Sequence, residues 1–275
     1  MEYIDKTILR EEGEAIIKSF LNQVKEQDPY PQDLYDVFKS DRGGQSQKDL
    51  IEILLEEQNN HCCYCMRRLT VNNKITLEHL ILRSITQQEE FNKYIKEERH
   101  TVLNDNVCLT EVNKVYQAEP PYPHVVAYQN LVASCDGKII TGAPAISCCN
   151  LRRGFEYIEP IVLYATIKNE VVYAFNGEVR WKEDKEYEKE EQLTMNILGL
   201  NDSILRMVRH IWSYINRCGL VKGDIDRDRG KLYGMLDEVS NEDFDLLLSF
   251  QSNDTYWNLL VDYDYFSTIT YHSDN

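Results

Sequence analysis

The stretch His61-Cys62-Cys63-Tyr64-Cys65 decides how this 275-residue chain is interpreted, because it opens a cysteine-rich segment. Seven of the eight cysteines lie between positions 62 and 149. Cys62 and Cys65 have C-x-x-C spacing, which places two thiolates at neighbouring corners of a zinc tetrahedron. A structural zinc ion needs two more ligands, and Cys135 and Cys149 follow downstream. The pattern therefore predicts a structural Zn²⁺ site.

Two of these ligand positions have a neighbouring alternative. Cys63 directly follows Cys62, and Cys148 directly precedes Cys149. The C-x-x-C spacing favours Cys62, and the residues that follow favour Cys149. The two remaining cysteines, which we expect to be small buried apolar residues, are Cys108 and Cys218.

The composition excludes several classes of protein. Apolar residues make up 43% and charged residues 28% of the chain, as in globular domains rather than disordered ones. No apolar run approaches the roughly 20 residues that cross a bilayer, and the first residues lack the apolar core of a secretion signal. We therefore expect a cytoplasmic protein without a membrane segment. Its net charge of −16 argues against nucleic-acid binding through bulk charge alone.

The chain divides into three regions that differ in apolar spacing and cysteine content. Residues 1–60 have helical apolar spacing, residues 61–158 form the cysteine-rich region, and residues 159–275 form a β-hairpin followed by a helical, acidic end. The hairpin is predicted from apolar runs at 161–167 and 171–175, with Asn176-Gly177 as a turn. From Asp237 onward there are nine acidic residues and no Lys or Arg, which indicates a solvated acidic face or a docking surface for a basic partner.

Polar residues that carry chemistry are interleaved with the cysteines. A β-like run ends in Glu78-His79, Asn130 lies five residues before Cys135, and Asn150 follows Cys149 directly. Two basic residues, Arg152 and Arg153, come next. Each feature alone has a structural explanation, since most histidines and asparagines serve in cores, turns and caps. Their order and interleaving with the cysteines make the combination specific.

In this combination the chain resembles the HNH endonuclease family, which has a ββα-metal fold. The segments Cys-x-Tyr-Cys, Glu-His, Asn-Leu-Val-Ala-Ser-Cys and Cys-Asn-x-x-Arg-Gly are similar to those of the HNH nucleases of Septu and retron-linked anti-phage systems. The likeness covers about residues 45–215 and includes Arg209 in its downstream half. It departs in the 14-residue interval from Cys135 to Cys149, where a hairpin over 136–147 would be inserted, and in the 50-residue gap after His79. The expected fold is α+β, with a zinc-stapled ββα-metal HNH core between helical flanks.

The resemblance implies a phosphodiesterase site. It makes His79 the general base, Asn130 the residue that holds the loop and the base in place, and Glu78 with Asn150 the ligands of a catalytic Mg²⁺ or Mn²⁺. Arg153 or its neighbour Arg152 would contact the phosphate.

The resemblance also implies partners. The nuclease would act on nucleic acid together with an ABC-type ATPase, and in retron-linked systems with a reverse transcriptase and its RNA/DNA.

The alternative is a zinc-stapled interaction or regulatory subunit without catalysis, although all four motif positions carry competent side chains. A redox C-x-x-C protein would leave Glu78-His79 and Asn150 unexplained.

Overall fold

The computed structural model of the chain describes residues 1–28, 32–70, 75–95, 101–112, 114–139, 146–182, 188–217, 219 and 254–272. Two of the predictions fall outside them, that for Cys218 and that for most of the acidic end after Asp237. The described part is an α+β structure in which helices alternate with short strands, as the sequence predicts at that level.

The α-helices in this part of the chain follow in sequence order. They are α1 (Arg10–Gln27), α2 (Leu34–Ser40), α3 (Gln45–Glu57), α4 (Gln88–Tyr94), α5 (Thr101–Asn106), α6 (Cys149–Arg153), α7 (Ile167–Glu170), α8 (Glu188–Ile197), α9 (Ser203–Arg217) and α10 (Asp254–Asp262). Within the described ranges, none of them combines the length and the apolar character that a bilayer-crossing helix requires.

The strands pair two by two. The pairs are β1 (Ile75–His79) with β4 (Leu131–Cys135), β2 (Val107–Cys108) with β3 (Tyr122–Pro123), β5 (Lys138–Ile139) with β6 (Ile146–Ser147), and β7 (Val171–Tyr173) with β8 (Val179–Trp181). The β2–β3 pair is parallel, whereas β5–β6 and β7–β8 are antiparallel. Sheets this small rely on the helices and loops around them for stability.

The chain forms two compact units, each assembled from several segments. The first unit consists of Met1–Cys63, Leu69–Ser134 and Gly154–Lys168, and the second of Tyr64–Arg68, Cys135–Arg153 and Asn169–Asn275.

The predicted N-terminal helices build the apolar core of the first unit. Phe20 on α1 meets Phe38 on α2 edge to face, with the ring centroids 5.1 Å apart. Leu50 and Leu54 on α3 are completely buried. Gly44 caps the start of α3 with a φ of 84°, a left-handed conformation that favours glycine.

A buried ion pair lies beneath strand β4. The ammonium of Lys6 donates to the Glu57 carboxylate at 2.6 Å and to the Leu131 carbonyl at 2.7 Å. Neither charged side chain has any exposed surface. The ammonium also lies 4.4 Å from the ring centroid of Tyr128, whose hydroxyl donates to the same carboxylate. Lys6 thereby connects the end of α3 to the first residue of β4.

We expect Lys6→Met to destabilise the protein by about 3–5 kcal/mol, because it leaves the buried Glu57 carboxylate without its cation. Lys18→Met is the matched control, since Lys18 is 44% exposed and lies 3.4 Å from Glu14. Removing the half-exposed lysine should cost less than about 1 kcal/mol, because the buried Glu14 carboxylate keeps Arg10 at 2.7 Å. Urea unfolding of the three proteins measures both differences, and equal midpoints for the two variants would contradict the assignment.

In the second unit, a hairpin forms at the predicted Asn176-Gly177 turn. Gly177 has a φ of 80°, and a β-carbon there would lie 1.9 Å from the Arg206 carbonyl oxygen, so only glycine fits. The buried guanidinium of Arg209 donates to the carbonyls of Gly177 at 2.6 Å and Leu200 at 2.7 Å. Arg209 therefore has a structural task in this unit, joining the hairpin turn to the segment before α9.

The predicted strand over residues 161–167 is wrong. Ile161–Leu163 form a 3₁₀ helix, and α7 begins at Ile167. The Val162 carbonyl accepts a hydrogen bond from the backbone N–H of Ile4 at 2.8 Å rather than from a strand partner. A short buried apolar run has no periodicity that separates a strand from a helical turn, so its tertiary contacts decide. The partner of β7 is β8, on the far side of the turn.

Candidate functional site

Four buried cysteine sulfurs form the most distinctive cluster of the molecule. The Sγ atoms of Cys62, Cys65, Cys135 and Cys149 all lie within 4.8 Å of one another. Tetrahedral zinc with Zn–S bonds of about 2.3 Å needs sulfurs about 3.8 Å apart. The Cys65 and Cys135 sulfurs are 3.7 Å apart, far beyond a disulfide bond, and no disulfide joins the cysteines of the described residues. The donor set and spacing fit a closed structural metal site such as zinc.

The side chain of Gln58 holds the loop that carries Cys62 against strand β4. Its amide donates to the carbonyls of His61 at 2.9 Å and Ala133 at 2.8 Å, and its oxygen accepts from the Ala133 N–H at 2.7 Å. The Cys63 N–H donates to the same Ala133 carbonyl at 3.1 Å. These hydrogen bonds define the register of the loop against β4. Nothing in the sequence pattern singles out Gln58.

The hairpin predicted between Cys135 and Cys149 is observed as β5 and β6. Its closing contact is a hydrogen bond of 2.8 Å from the Cys148 N–H to the Gly137 carbonyl. Gly137 has a φ of 70°, and a β-carbon there would lie 2.3 Å from the Cys148 carbonyl oxygen. This close approach returns the chain to the cluster after the 14-residue interval.

The distances resolve the two neighbouring alternatives left by the sequence. The group of four contains Cys62 and Cys149, whereas Cys63 and Cys148 are buried without belonging to it. Cys149 adopts a positive φ of 51°, and its N–H donates to the Leu198 carbonyl at 2.8 Å.

Residues near the C-terminus of the chain supply a second layer around Cys65. The Tyr263 hydroxyl donates to the Cys65 sulfur at 3.7 Å. Burial and then the neighbouring cysteine sulfurs raise the pKa of Tyr263, so the hydroxyl keeps its proton and remains a donor. Arg67 pairs with Asp262 at 2.9 Å, and Arg68 pairs with Asp264. Such outer contacts orient metal ligands, and the sequence alone did not reveal this part of the site.

We predict that the purified protein holds one zinc ion per chain and that Cys149→Ser loses it, because three thiolates leave a tetrahedral site incomplete. Cys148→Ser is the matched control, since both cysteines are fully buried and adjacent. Metal content by mass spectrometry and thermal unfolding measure the effect. Full zinc content in Cys149→Ser, or its loss in Cys148→Ser alone, would contradict the ligand assignment.

Glu78 and His79 end strand β1, as the sequence predicts, and both are buried. The Thr76 hydroxyl donates to the Ser134 carbonyl and the Leu80 N–H to the Asn130 carbonyl, so β1 and β4 run in opposite directions. His79 Nε2 lies 2.9 Å from the Val125 carbonyl oxygen. Because a carbonyl only accepts, the neutral ring carries its proton on Nε2 and its lone pair on Nδ1. This is the tautomer in which Nδ1 can take up a proton.

Asn130 joins the two loops beside His79. Its side-chain oxygen accepts from the Ile81 N–H at 2.7 Å, and its amide donates to the carbonyls of Ile81 at 3.0 Å and His124 at 2.8 Å. The side chain has no exposed surface. Since Val125 follows His124 directly, Asn130 positions the carbonyl that holds His79. The structure thus brings Glu78, His79 and Asn130 together in the first unit.

His124, in the same loop, is a buried neutral histidine. Its Nδ1 accepts from the Thr110 N–H at 2.9 Å, and its ring meets Phe91 edge to face. Burial lowers the pKa of His124 to about 4 from the ordinary 6.5. The folded chain therefore keeps this ring uncharged through the pH range in which an unfolded chain would protonate it.

We expect this histidine to make stability pH-dependent. Between about pH 6.5 and 4 the unfolded state binds the proton and the folded state does not, so stability falls as the pH falls, by up to about 3 kcal/mol in total. His124→Asn should remove this component while its amide oxygen replaces Nδ1 as an acceptor. The control is His272→Asn, at an exposed position. Urea unfolding across this pH range tests it, and parallel curves for wild type and His124→Asn would refute it.

The remaining predicted residues lie on helix α6. Asn150 is half-buried on its first turn. Arg153 is buried, with 1% of its surface exposed. Arg152 is 45% exposed, lies 3.8 Å from the Asp202 carboxylate, and packs where a β-carbon on Gly199 would be 2.4 Å from its Cδ. Arg153 is therefore shielded from solvent, whereas the Arg152 side chain remains accessible.

A residue in contact with His79, Tyr35, and the cation that packs on its ring come from positions that carried no signal in the sequence. The Tyr35 ring on α2 meets the His79 ring edge to face, with the centroids 4.7 Å apart. Burial raises the pKa of Tyr35, with smaller contributions in the same direction from Asp36 and Glu78. The Arg83 guanidinium lies 5.0 Å from the Tyr35 ring centroid. His79 therefore contacts the Tyr35 ring, and the Arg83 guanidinium packs over the face of that ring.

Comparison with known proteins adds no assignment. No protein-family model matches the chain, and no curated protein matches it. The functional argument therefore depends on the residues themselves.

Proposed function

We propose that this protein is a metal-dependent HNH endonuclease that hydrolyses phosphodiester bonds of nucleic acid. The observation that carries the proposal is the setting of His79, whose Nε2 is engaged by the Val125 carbonyl and whose Nδ1 has the lone pair. A histidine in that state beside a phosphodiester takes a proton from the attacking water, a step that contributes roughly 10²–10⁴-fold to the rate.

Asn130 acts through His79 rather than on the substrate. Its side chain is fully buried and hydrogen-bonded to both neighbouring loops, which keeps the Val125 carbonyl at its distance from the imidazole. Fixing the tautomer and the direction of the ring is what a general base needs from its surroundings. In this proposal Asn130 is a positioning residue.

Glu78 and Asn150 would hold the catalytic cation. A carboxylate and an amide oxygen are the hard donors that suit Mg²⁺ or Mn²⁺. Glu78 lies next to His79 at the end of β1, and Asn150 follows the last cysteine of the cluster. When bound, the ion supplies electrostatic stabilisation of the phosphoryl oxygens and of the leaving group. Arg153, being buried, supports α6 in this proposal, although the resemblance places it near the phosphate.

The charge distribution favours a partner. Residues 61–157 carry 11 basic and 10 acidic side chains, a charge of +1, so the rest of the chain carries −17 and the net charge is −16. A nuclease without a basic surround binds nucleic acid weakly by itself. We propose that it works in the cytoplasm in bacterial anti-phage defence, together with an ABC-type ATPase. In retron-linked systems a reverse transcriptase with its RNA/DNA would be a further partner. These partners would supply the missing positive surface and control the nuclease.

We expect His79→Ala to lower Mg²⁺- or Mn²⁺-dependent cleavage by about 10²–10⁴-fold, since it removes the base and leaves the cysteine cluster intact. The assay incubates the purified protein, with and without its ATPase partner, with labelled DNA and RNA pools. His210→Ala is the matched control, because His210 Nδ1 also lies within hydrogen-bond distance, 2.6 Å, of a backbone carbonyl, that of Phe175.

Two results would contradict the proposal. Equal cleavage by wild type and His79→Ala would remove His79 from the chemistry. A zinc-loaded, folded wild type that cleaves none of the pools with either cation, with and without the partner, would favour the regulatory-subunit alternative.

A further inference from the structure

Helix α2 brings an aromatic ring to the histidine at the end of β1. The Tyr35 and His79 rings meet at an interplanar angle of 77°, and only 7% of Tyr35 is exposed. One edge of the imidazole is therefore covered by the N-terminal helical region. Tyr35 is a fixed platform rather than a mobile surface side chain.

The Arg83 guanidinium packs over the face of the Tyr35 ring. It follows His79 by four residues, and its guanidinium carbon lies 5.0 Å from the centroid of the Tyr35 ring, within the range of cation–π attraction. Its side chain is 44% exposed, so the cation faces solvent while the ring restrains it. An arginine held in this way keeps its planar donor fork, which matches two phosphate oxygens.

Among the described residues, Arg83 and Lys39 both lie near the Asp36 carboxylate. Arg83 lies 3.4 Å and Lys39 3.7 Å from the same Asp36 carboxylate, and Lys39 also lies 5.8 Å from the Tyr35 ring centroid. Asp36 is 58% exposed, and exposed ion pairs of this kind contribute little. Two cations share one carboxylate, so a phosphate can replace Asp36 at Arg83 without leaving a buried charge unpaired.

Building on the proposed function, we propose that Arg83, held on the ring of Tyr35, binds a phosphate of the nucleic-acid backbone beside His79. Arg83 would add a phosphate contact to the one that the resemblance gives to the arginines of α6. Tyr35 is a positioning residue, because it acts through the two side chains that it contacts. The recognised chemistry is the phosphodiester, common to DNA and RNA, so Arg83 contributes affinity and register rather than base choice.

The test measures binding and cleavage with the same proteins. Fluorescein-labelled 20-nucleotide DNA and RNA, single- and double-stranded, are titrated without added divalent cation, and cleavage is then measured with Mn²⁺. Arg83→Gln should raise Kd and KM together by about tenfold and lower the slope of log Kd against log salt concentration by about 1. Arg83→Lys should recover part of the affinity, since it restores the charge without the planar fork.

Arg42→Gln is the matched control. Arg42 is 46% exposed and lies 2.9 Å from Asp49 and 3.7 Å from Asp41, so it matches Arg83 in charge and exposure and is also near carboxylates. It should leave binding and cleavage within about twofold of wild type. Thermal unfolding of every variant verifies that each one is folded.

A double-mutant cycle tests the role of Tyr35. Tyr35→Leu should weaken binding when Arg83 is present and add little to Arg83→Gln, because both changes disrupt one unit. Tyr35→Phe keeps the ring and the fold, and should bind within about twofold of wild type. Additive effects of Tyr35→Leu and Arg83→Gln on binding would contradict the proposal that Tyr35 positions Arg83.

The outcomes separate this inference from the proposed function. Cleavage by wild type with equal binding by Arg83→Gln and Arg42→Gln would overturn the inference and leave the nuclease proposal intact. Without any cleavage, the nuclease proposal fails, and weaker binding by Arg83→Gln alone would still support a phosphate site at Arg83. Binding of none of the oligonucleotides by wild type would overturn the inference.

Discussion

Four buried sulfurs within 4.8 Å of one another are the constraint on which the other features depend. Four thiolates this close would repel one another, so the arrangement suits a bound cation. The ligands come from the loop after α3, the end of β4 and the start of α6. Because β4 pairs with β1, a metal that organises β4 also bears on the strand that ends in Glu78 and His79.

The contacts described for the His79 ring are with dipoles. The Val125 carbonyl oxygen lies 2.9 Å from Nε2, the Tyr35 ring meets the imidazole edge to face, and Asn130 donates to the neighbouring His124 carbonyl. A carbonyl at Nε2 selects the neutral tautomer that has its lone pair on Nδ1. The arrangement is suited to a group that must accept a proton and then release it.

Much of the site was predictable from the sequence, because its ligands have characteristic types and spacings. The cysteine group, the strand ending in Glu78-His79 and the Asn176-Gly177 turn follow from local rules. Residues 161–167 did not, since the N-terminal segment supplies the backbone partner of Val162. Lys6 and Tyr35 were also beyond local reasoning. Their partners lie more than 40 residues away, and a lysine or a tyrosine in a helical region is normally just a surface or core residue.

The Gly137–Cys148 contact has a consequence for how such proteins are recognised. Once β5 and β6 pair, the backbone contacts at the base of the hairpin set the distance between Cys135 and Cys149 in space. The length of the loop that connects β5 to β6 can then change during evolution at little thermodynamic cost, because loop-closure entropy grows slowly with length. Motif searches that demand a fixed interval between the third and fourth thiol would overlook relatives whose metal cage is unchanged.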